Sequence, residues 1–300
     1  MSWPPALTLA LAVPLAWTID ARFGEPRDAW HPVAWLGRLF APVGRPLRNW
    51  PPAAAFVGGA LAWWVGATAI GALAWAVQHA LLSASPWLAV PLLAALLKPT
   101  FAWRMLRDEA AAVEAAMVEG VHAARARLAR LVSRDVSVLD ADLVRETTIE
   151  TVAENLNDSL VAPLFWYALF GLPGAAIYRF ANTLDAMWGY RGVWEWSGKW
   201  SARADDVLSW LPARLTAALL MPTPRLFAQA RLTPSPNGGW PMGAMALRLG
   251  VRLRKPGVYA LNEAAPSPQA AHVQRALACA GRAADIAVVL VTVAWLLRAA

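Results

Sequence analysis

The residues that could do chemistry sit between positions 150 and 206. Glu150, Glu154 and Asp158 recur every four residues. Each four-residue step turns a helix by about 400°, so the three carboxylates project within one sector. Like charges at that spacing repel and weaken a helix unless a cation joins them. Asn155 and Asn157 interleave with the acids and are poor choices for a surface helix. A second group follows: Asn182 and Asp185 at i, i+3, then Lys199, Arg203, Asp205 and Asp206. Magnesium takes a few carboxylates together with water and substrate phosphate, so the acids suit metal and the cations suit phosphate. The plainer alternatives are a solvated acidic face for the first group and an ion-pair network for the second.

The surroundings favour the functional reading. The chain has 300 residues, of which 58% are hydrophobic and 16% charged, well under the roughly one quarter charged of a soluble domain. It has 18 Trp, a residue that collects at membrane–water interfaces. Carboxylates beside membrane-length apolar sequence are costly to place and mark function by default. The net charge of +7 fits the basic cytoplasmic loops of a membrane protein. No nucleic-acid motif accompanies it. Cys279 is the single cysteine, which excludes an internal disulfide and a multi-cysteine metal site.

The elements that must position these residues read as an all-α, polytopic integral membrane protein. One membrane-embedded domain, 1–300, carries about 4–6 membrane segments with re-entrant or broken helices and a cytoplasmic helical insertion. Met1–Ile19 lacks a basic leader and reads as an uncleaved first span near 3–19 with its N-terminus outside. Asp20–Trp50 follows, with Asp20, Glu25 and His31 clustered just past the membrane boundary. Pro51–Leu97 contains no charged residue and predicts spans near 53–77 and 86–101, turning near His79–Pro86. Gly58, Gly59, Gly66 and Gly71 allow close helix packing there. The helical insertion is 104–158. Glu109, Glu114 and Glu119 read as its wet face, and Asp140 as the N-cap of its second helix. Candidate segments near 159–178, 208–221 and 283–297 complete the chain. Gly171-Leu172-Pro173-Gly174 breaks the first of these, as helices break where they line a cavity. Pro222–Arg282 has eight Lys/Arg and one Glu and belongs in the cytoplasm. All polar motifs then share the cytoplasmic face if 159–178 and 208–221 do not fully cross. Arg248, Arg252, Arg254 and Lys255 read equally as steering charges or as topogenic ones.

Six motifs in order, from Asp20 to about Tyr259, resemble one family. They are Phe23-Gly24-Glu25-Pro26 with His31-Pro32-Val33; Glu150-x3-Glu154-Asn155-x2-Asp158; Asn182-Thr183-Leu184-Asp185-x-Met187-x-Gly189-Tyr190; Ala202-Arg203-x-Asp205-Asp206; Pro212-Ala213-Arg214-Leu215-Thr216; and Ser235-Pro236-Asn237-x-Gly239-Trp240-Pro241. The family is that of the CobD/CbiB cobalamin-biosynthesis membrane proteins, the adenosylcobinamide-phosphate synthases. Ala186, Trp188 and Leu247-Arg248 depart from its pattern.

The resemblance implies a ligase of the bacterial cytoplasmic (inner) membrane, multi-pass, with a cytoplasmic-facing active site. It would join adenosylcobyric acid to (R)-1-aminopropan-2-ol or its O-phosphate through an amide bond. ATP and Mg2+ would serve as co-substrate and metal, with no permanently bound cofactor. Partners would be the corrinoid, the aminopropanol, the lipid bilayer and other late cobalamin-pathway membrane enzymes, with no nucleic acid. Glu150, Glu154, Asp158, Asp185, Asp205 and Asp206 would then be catalytic, the first four as magnesium ligands. Asp20, Glu25, His31, Asn155, Asn182, Lys199, Arg203, Arg214 and Asn237 would contact substrate or phosphate, with His31, Glu25 and Asp20 as candidate bases for the amine. No Walker or kinase-type glycine loop is present. Two rival readings are an intramembrane magnesium-dependent prenyltransferase and a transporter that uses buried acids.

Overall fold

The computed structural model describes residues 3–300. The described chain is helical, with one short antiparallel strand pair. Four stretches are long and apolar enough to cross a membrane: Pro5–Phe23, Pro52–Leu82, Pro86–Ala116 and Ala270–Ala299. They overlap the expected segments near 3–19, 53–77, 86–101 and 283–297, the third running on into the expected insertion and the fourth starting earlier than expected. The protein is thus a polytopic helical membrane protein. The pieces 159–178 and 208–221 do not form long apolar helices. The first is divided at Gly171, whose φ of 68° is a conformation open to glycine at little cost. The second belongs to a helix that also carries Lys199, Arg203, Asp205 and Asp206.

The chain divides into two compact units. One contains the chain up to Ala102, Ala162–Leu208 and Val288–Ala300. Here α1 (Pro5–Phe23) packs on α4 (Pro86–Leu97), and α2 (Pro32–Leu47) and α3 (Pro52–Leu82) pack on α9 (Leu172–Trp188). Pro14 lies inside α1 without ending it. The expected close packing at small residues is present. A Cβ on Gly66 would meet the Phe180 ring at 2.4 Å, and one on Gly59 would meet the Ser197 carbonyl at 2.0 Å. Phe40, Trp63, Phe180 and Trp188 form the aromatic centre of this packing. Trp188 departs from the family pattern, yet it is fully buried, stacked on Trp194 at 6.2 Å and pressed against Gly44.

The other unit contains Trp103–Val161 and Ser209–Ala287. Its centre is α7 (Ala141–Leu156). As the sequence predicts, Asp140 caps it, accepting a 2.8 Å hydrogen bond from the Leu143 N–H. α5 (Trp103–Ala116), α6 (Val121–Leu128), α12 (Gly239–Leu249) and strand β1 (Leu253–Lys255) all pack against α7. Two of its buried hydroxyls bond back to the helix: Thr148 and Thr151 donate to the Val144 and Thr147 carbonyls at 2.7 and 2.8 Å, whereas the buried Thr147 hydroxyl has no partner among the described residues. The expected wet face of the insertion needs correction at Glu114. That side chain is only 10% exposed and is gripped by the Arg145 guanidinium at 2.8–3.1 Å.

Candidate active site

The sequence predicts three carboxylates in one sector of a helix, with a solvated acidic face as the plainer alternative. α7 buries Glu146 and Glu150 and leaves Glu154 accessible to water. Beyond Leu156 the helix widens into a π turn, Asn157–Val161, which carries Asp158. Such turns occur mostly as single insertions at functional sites. The four-residue spacing therefore lies in regular winding from Glu150 to Glu154, and Asp158 follows in the widened turn, near enough for its charge to act on Glu154. The two asparagines are both engaged. Asn155 donates to the Thr151 carbonyl at 3.1 Å, and Asn157 donates to Asp158 at 2.7 Å while accepting from Thr216 at 3.0 Å.

Around Glu150 and Glu154 lies a cavity of about 400 Å³. Three further segments line it. Arg134 comes from the loop before α7 and donates to Glu150 Oε2 at 2.7 Å. Lys255 and Tyr259 come from β1 and β2 (Tyr259–Leu261), where they are paired directly across the ladder and so share a face. The loop Thr233–Ser235 closes another side. Ser235 Oγ accepts the N–H groups of Asn237 and Gly238 at 3.2 and 3.1 Å. This turn brings Gly238 against the acids: a Cβ there would lie 3.3 Å from Glu154 Oε1. Gly239 must be glycine, since a Cβ would meet the Ala230 carbonyl at 2.4 Å.

The electrostatics are unbalanced. Burial pushes the Glu150 carboxyl up, against the Arg134 hydrogen bond and charge and the nearby Tyr259 hydroxyl. Its Oε1 has no partner at hydrogen-bonding geometry. Glu154 touches water on the cavity side and is otherwise packed in protein. That burial, then the charges of Asp158 and Glu150, raise its carboxyl to about 7 despite Lys255 and Arg134. Burial and both carboxylates likewise push the Tyr259 phenol up, keeping it a proton donor.

These features test magnesium. Among the described residues, no three His, Cys, Asp or Glu side chains converge as a ready-made metal cage. Magnesium rarely needs one, because water and phosphate complete its shell. A buried carboxylate oxygen without a partner beside a second carboxylate of raised proton affinity fits that demand. The expected set of Glu150, Glu154, Asp158 and Asp185 falls in both units, with Asp185 in the other one.

That other unit brings together part of the second polar group. Asn182 Nδ2 donates to Asp205 Oδ1 at 3.4 Å, joining α9 to α10 (Lys199–Leu220). Burial raises the Asp206 carboxyl. Gly189 lies so close to Asp185 that a Cβ would be 2.0 Å from its Oδ1. Lys199 pairs with Glu195 at 3.3 Å and lies over the Trp196 ring, and Arg203 is exposed. Arg214 and Asn237, both expected at substrate, meet at 3.2 Å, with the guanidinium over the Trp210 and Trp240 rings.

Asp20, Glu25 and His31 also meet, around a residue the sequence reading passed over. Lys98 is buried and pairs with Asp20 at 3.0 Å and with Glu25. His31 bonds Glu25 at 2.6 Å and caps α2 through its Nδ1, which accepts from the Val33 N–H. Burial alone would raise Glu25, but His31 and Lys98 hold it below the ordinary glutamate value. A base for the amine would have to leave this network. Lys98 had a usable signal: it is the first charge after Pro51 in an otherwise uncharged stretch, and such a charge must find a partner.

A family model described as "CobD/Cbib protein" matches residues 13–287. The chain belongs to the CobD/Cbib family. It is 41% identical to a probable cobalamin biosynthesis protein CobD of Thermococcus kodakarensis, over 82% of each chain. It is 37% identical to the cobalamin biosynthesis protein CobD of Rhodobacter capsulatus, over 98% of this chain and 94% of that one. With the Dehalococcoides mccartyi cobalamin biosynthesis protein CobD the identity is 34%, over 83% and 85%. No solved structure matches. Membership in the CobD/Cbib family favours a role in cobalamin biosynthesis over the prenyltransferase and transporter readings.

Proposed function

We propose that this chain is the amide-forming ligase of corrinoid assembly, joining adenosylcobyric acid to (R)-1-aminopropan-2-ol or its O-phosphate with hydrolysis of ATP. The observation that carries the reading is the Glu150–Glu154 cavity, where two carboxylates face two cations with one carboxylate oxygen unpartnered. A carboxylate is a poor acyl donor and needs activation, and phosphoryl transfer rests on positioning and charge stabilisation. Arg134 and Lys255 bind phosphate oxygens. Glu150 Oε1 and Glu154 would hold magnesium, which would supply positive charge to those phosphates. The Tyr259 hydroxyl donates a hydrogen bond to an oxygen in the same cavity. The Ser235–Gly238 turn keeps Glu154 in place through the close backbone approach of Gly238.

The site faces the cytoplasm of the cell that makes the corrinoid, in its cytoplasmic membrane. Lys255, Tyr259 and Ser235 belong to the most basic segment, which the positive-inside tendency retains on that side, where ATP is available. Asp185, Asp205, Asp206, Asn182, Lys199 and Arg203 are offered as substrate contacts by the family resemblance alone. Arg214 and Asn237 act together as one polar contact.

The test is reconstitution. Purified chain in lipid, with adenosylcobyric acid, aminopropanol phosphate, ATP and magnesium, is followed by mass spectrometry for the amide and for ADP or AMP. The expected result is amide formed in step with nucleotide hydrolysis. Folded protein that yields no amide with either amine would sink the proposal.

A further inference from the structure

A second cavity, of about 370 Å³, lies between the end of α12 and α13 (Ala270–Ala299). Three arginines line it, Arg248, Arg275 and Arg282, and no carboxylate does. Arg248 donates to the Leu220 carbonyl at 2.8 Å and to Cys279 Sγ at 3.2 Å. Among the described residues none of the three forms an ion pair, and Asp285, the nearest acid on α13, pairs with none of them. Three guanidiniums converging from two elements on one concave space repel unless an anion joins them.

The position of the arginines on α13 narrows the class of anion. Arg275 and Arg282 are seven residues apart and share a face, since two helical turns bring i and i+7 into line. The same face continues as Ile286, Val289 and Val293, all exposed, on a helix apolar enough to span a membrane. The arginines therefore head an exposed aliphatic stripe, and Met221, Pro222 and Leu249 add apolar wall to the cavity. An anionic head above hydrocarbon is the shape of an acidic phospholipid, and basic pockets beside membrane helices bind such head groups. Charge that serves only to orient the chain needs neither a cavity nor convergence from two elements.

We infer that the Arg248–Arg275–Arg282 cavity binds a phosphate anion, and that its source is the head group of an acidic phospholipid whose chains lie along the Ile286–Val293 face. The test is native mass spectrometry of the full chain in detergent, titrated with phosphatidylglycerol or with phosphatidylcholine of the same acyl chains. Wild-type protein retains phosphatidylglycerol selectively, and Arg275→Gln with Arg282→Gln lowers the ratio by roughly fivefold for each arginine removed. Arg127→Gln, a single charge loss on α6 to set beside Arg275→Gln, leaves the ratio unchanged. Millimolar inorganic phosphate does not displace the lipid. Equal binding of both lipids by wild-type protein overturns the inference, as does an unchanged ratio in the double variant. Displacement by inorganic phosphate alone overturns the lipid assignment in favour of a free anion. Should the double variant not remain monodisperse, Arg275→Gln alone decides by the same criterion.

Discussion

Two clusters of acids and bases in this molecule use the same residue types to opposite ends. Asp20, Glu25, His31 and Lys98 form a sealed network in which the lysine holds both carboxylates. Glu150, Glu154, Arg134 and Lys255 surround an open cavity in which a carboxylate oxygen has no partner and a second carboxylate is repelled by its neighbours. The first cluster neutralises itself and gives cohesion to the helices that carry it. The second leaves charge uncompensated, which weakens the fold locally and makes the cavity receptive to cations and phosphates. Counting acids does not separate the two, whereas the state of their pairing does.

The contrast predicts a double dissociation. The largest stability effect belongs to Lys98→Met. It removes the cation that the buried Asp20 and Glu25 share, and breaking a buried pair costs about 3–5 kcal/mol. Thermal unfolding in detergent, followed by tryptophan fluorescence, checks it. A Lys98→Met protein that melts with wild type would mean that the sealed cluster is not structural. Glu146→Gln comes next. Arg254 grips the fully buried Glu146 at 2.9–3.1 Å, with Arg252 at 3.7 Å. An isosteric amide keeps part of that geometry, so the expected loss is about 1–3 kcal/mol in the same melt.

How the two clusters respond to pH sharpens the comparison, because the slopes have opposite signs. Glu25 is held below its ordinary value of 4.5, so the folded state binds fewer protons there. Its contribution is present above that value and is lost as pH falls through the lower folded value. Glu154 is raised from 4.5 to about 7. Its contribution is complete below 4.5 and is lost as pH rises through about 7. In magnesium-free buffer, Glu25→Gln flattens the acid limb of the stability profile and Glu154→Gln flattens the limb between 4.5 and 7. Unfolding midpoints from about pH 2 to 8 read both. If either substitution changes the other's limb instead, the assignment of the clusters is wrong.

Much of the fold was legible because membrane solvation speaks through length. Uncharged runs marked the four spans, the Gly171 break stood out as glycine beside proline, and Asp140 announced its cap. Side-chain partnerships were not legible, because they join residues far apart in the chain. Arg254 and Glu146 are separated by 108 positions, and Lys98 and Glu25 by 73. The acidic stripe was read in isolation as repelling charge on one face. Its true setting required the hairpin that brings Lys255 and Tyr259 to α7. Glu146 was missed because it falls one helical turn before the motif and no neighbour in sequence marks it. The π turn at Asn157 was also invisible, since polar residues at a helix end look alike in regular and widened winding.

The smallest expected loss of stability accompanies the largest functional effect. Glu154 touches water and makes no structural ion pair among the described residues, so Glu154→Gln, the neutral stand-in for the protonated acid, should melt close to wild type near pH 4.5 and no lower than wild type at pH 7. The measurement that tests the account most directly is the turnover of Glu154→Gln in the reconstituted amide-forming assay, run beside its melt. The account predicts a loss of about 100-fold or more, the scale of removing one preorganised electrostatic contact, with the fold intact. Wild-type turnover by folded Glu154→Gln protein would contradict it and move the chemistry away from this cavity.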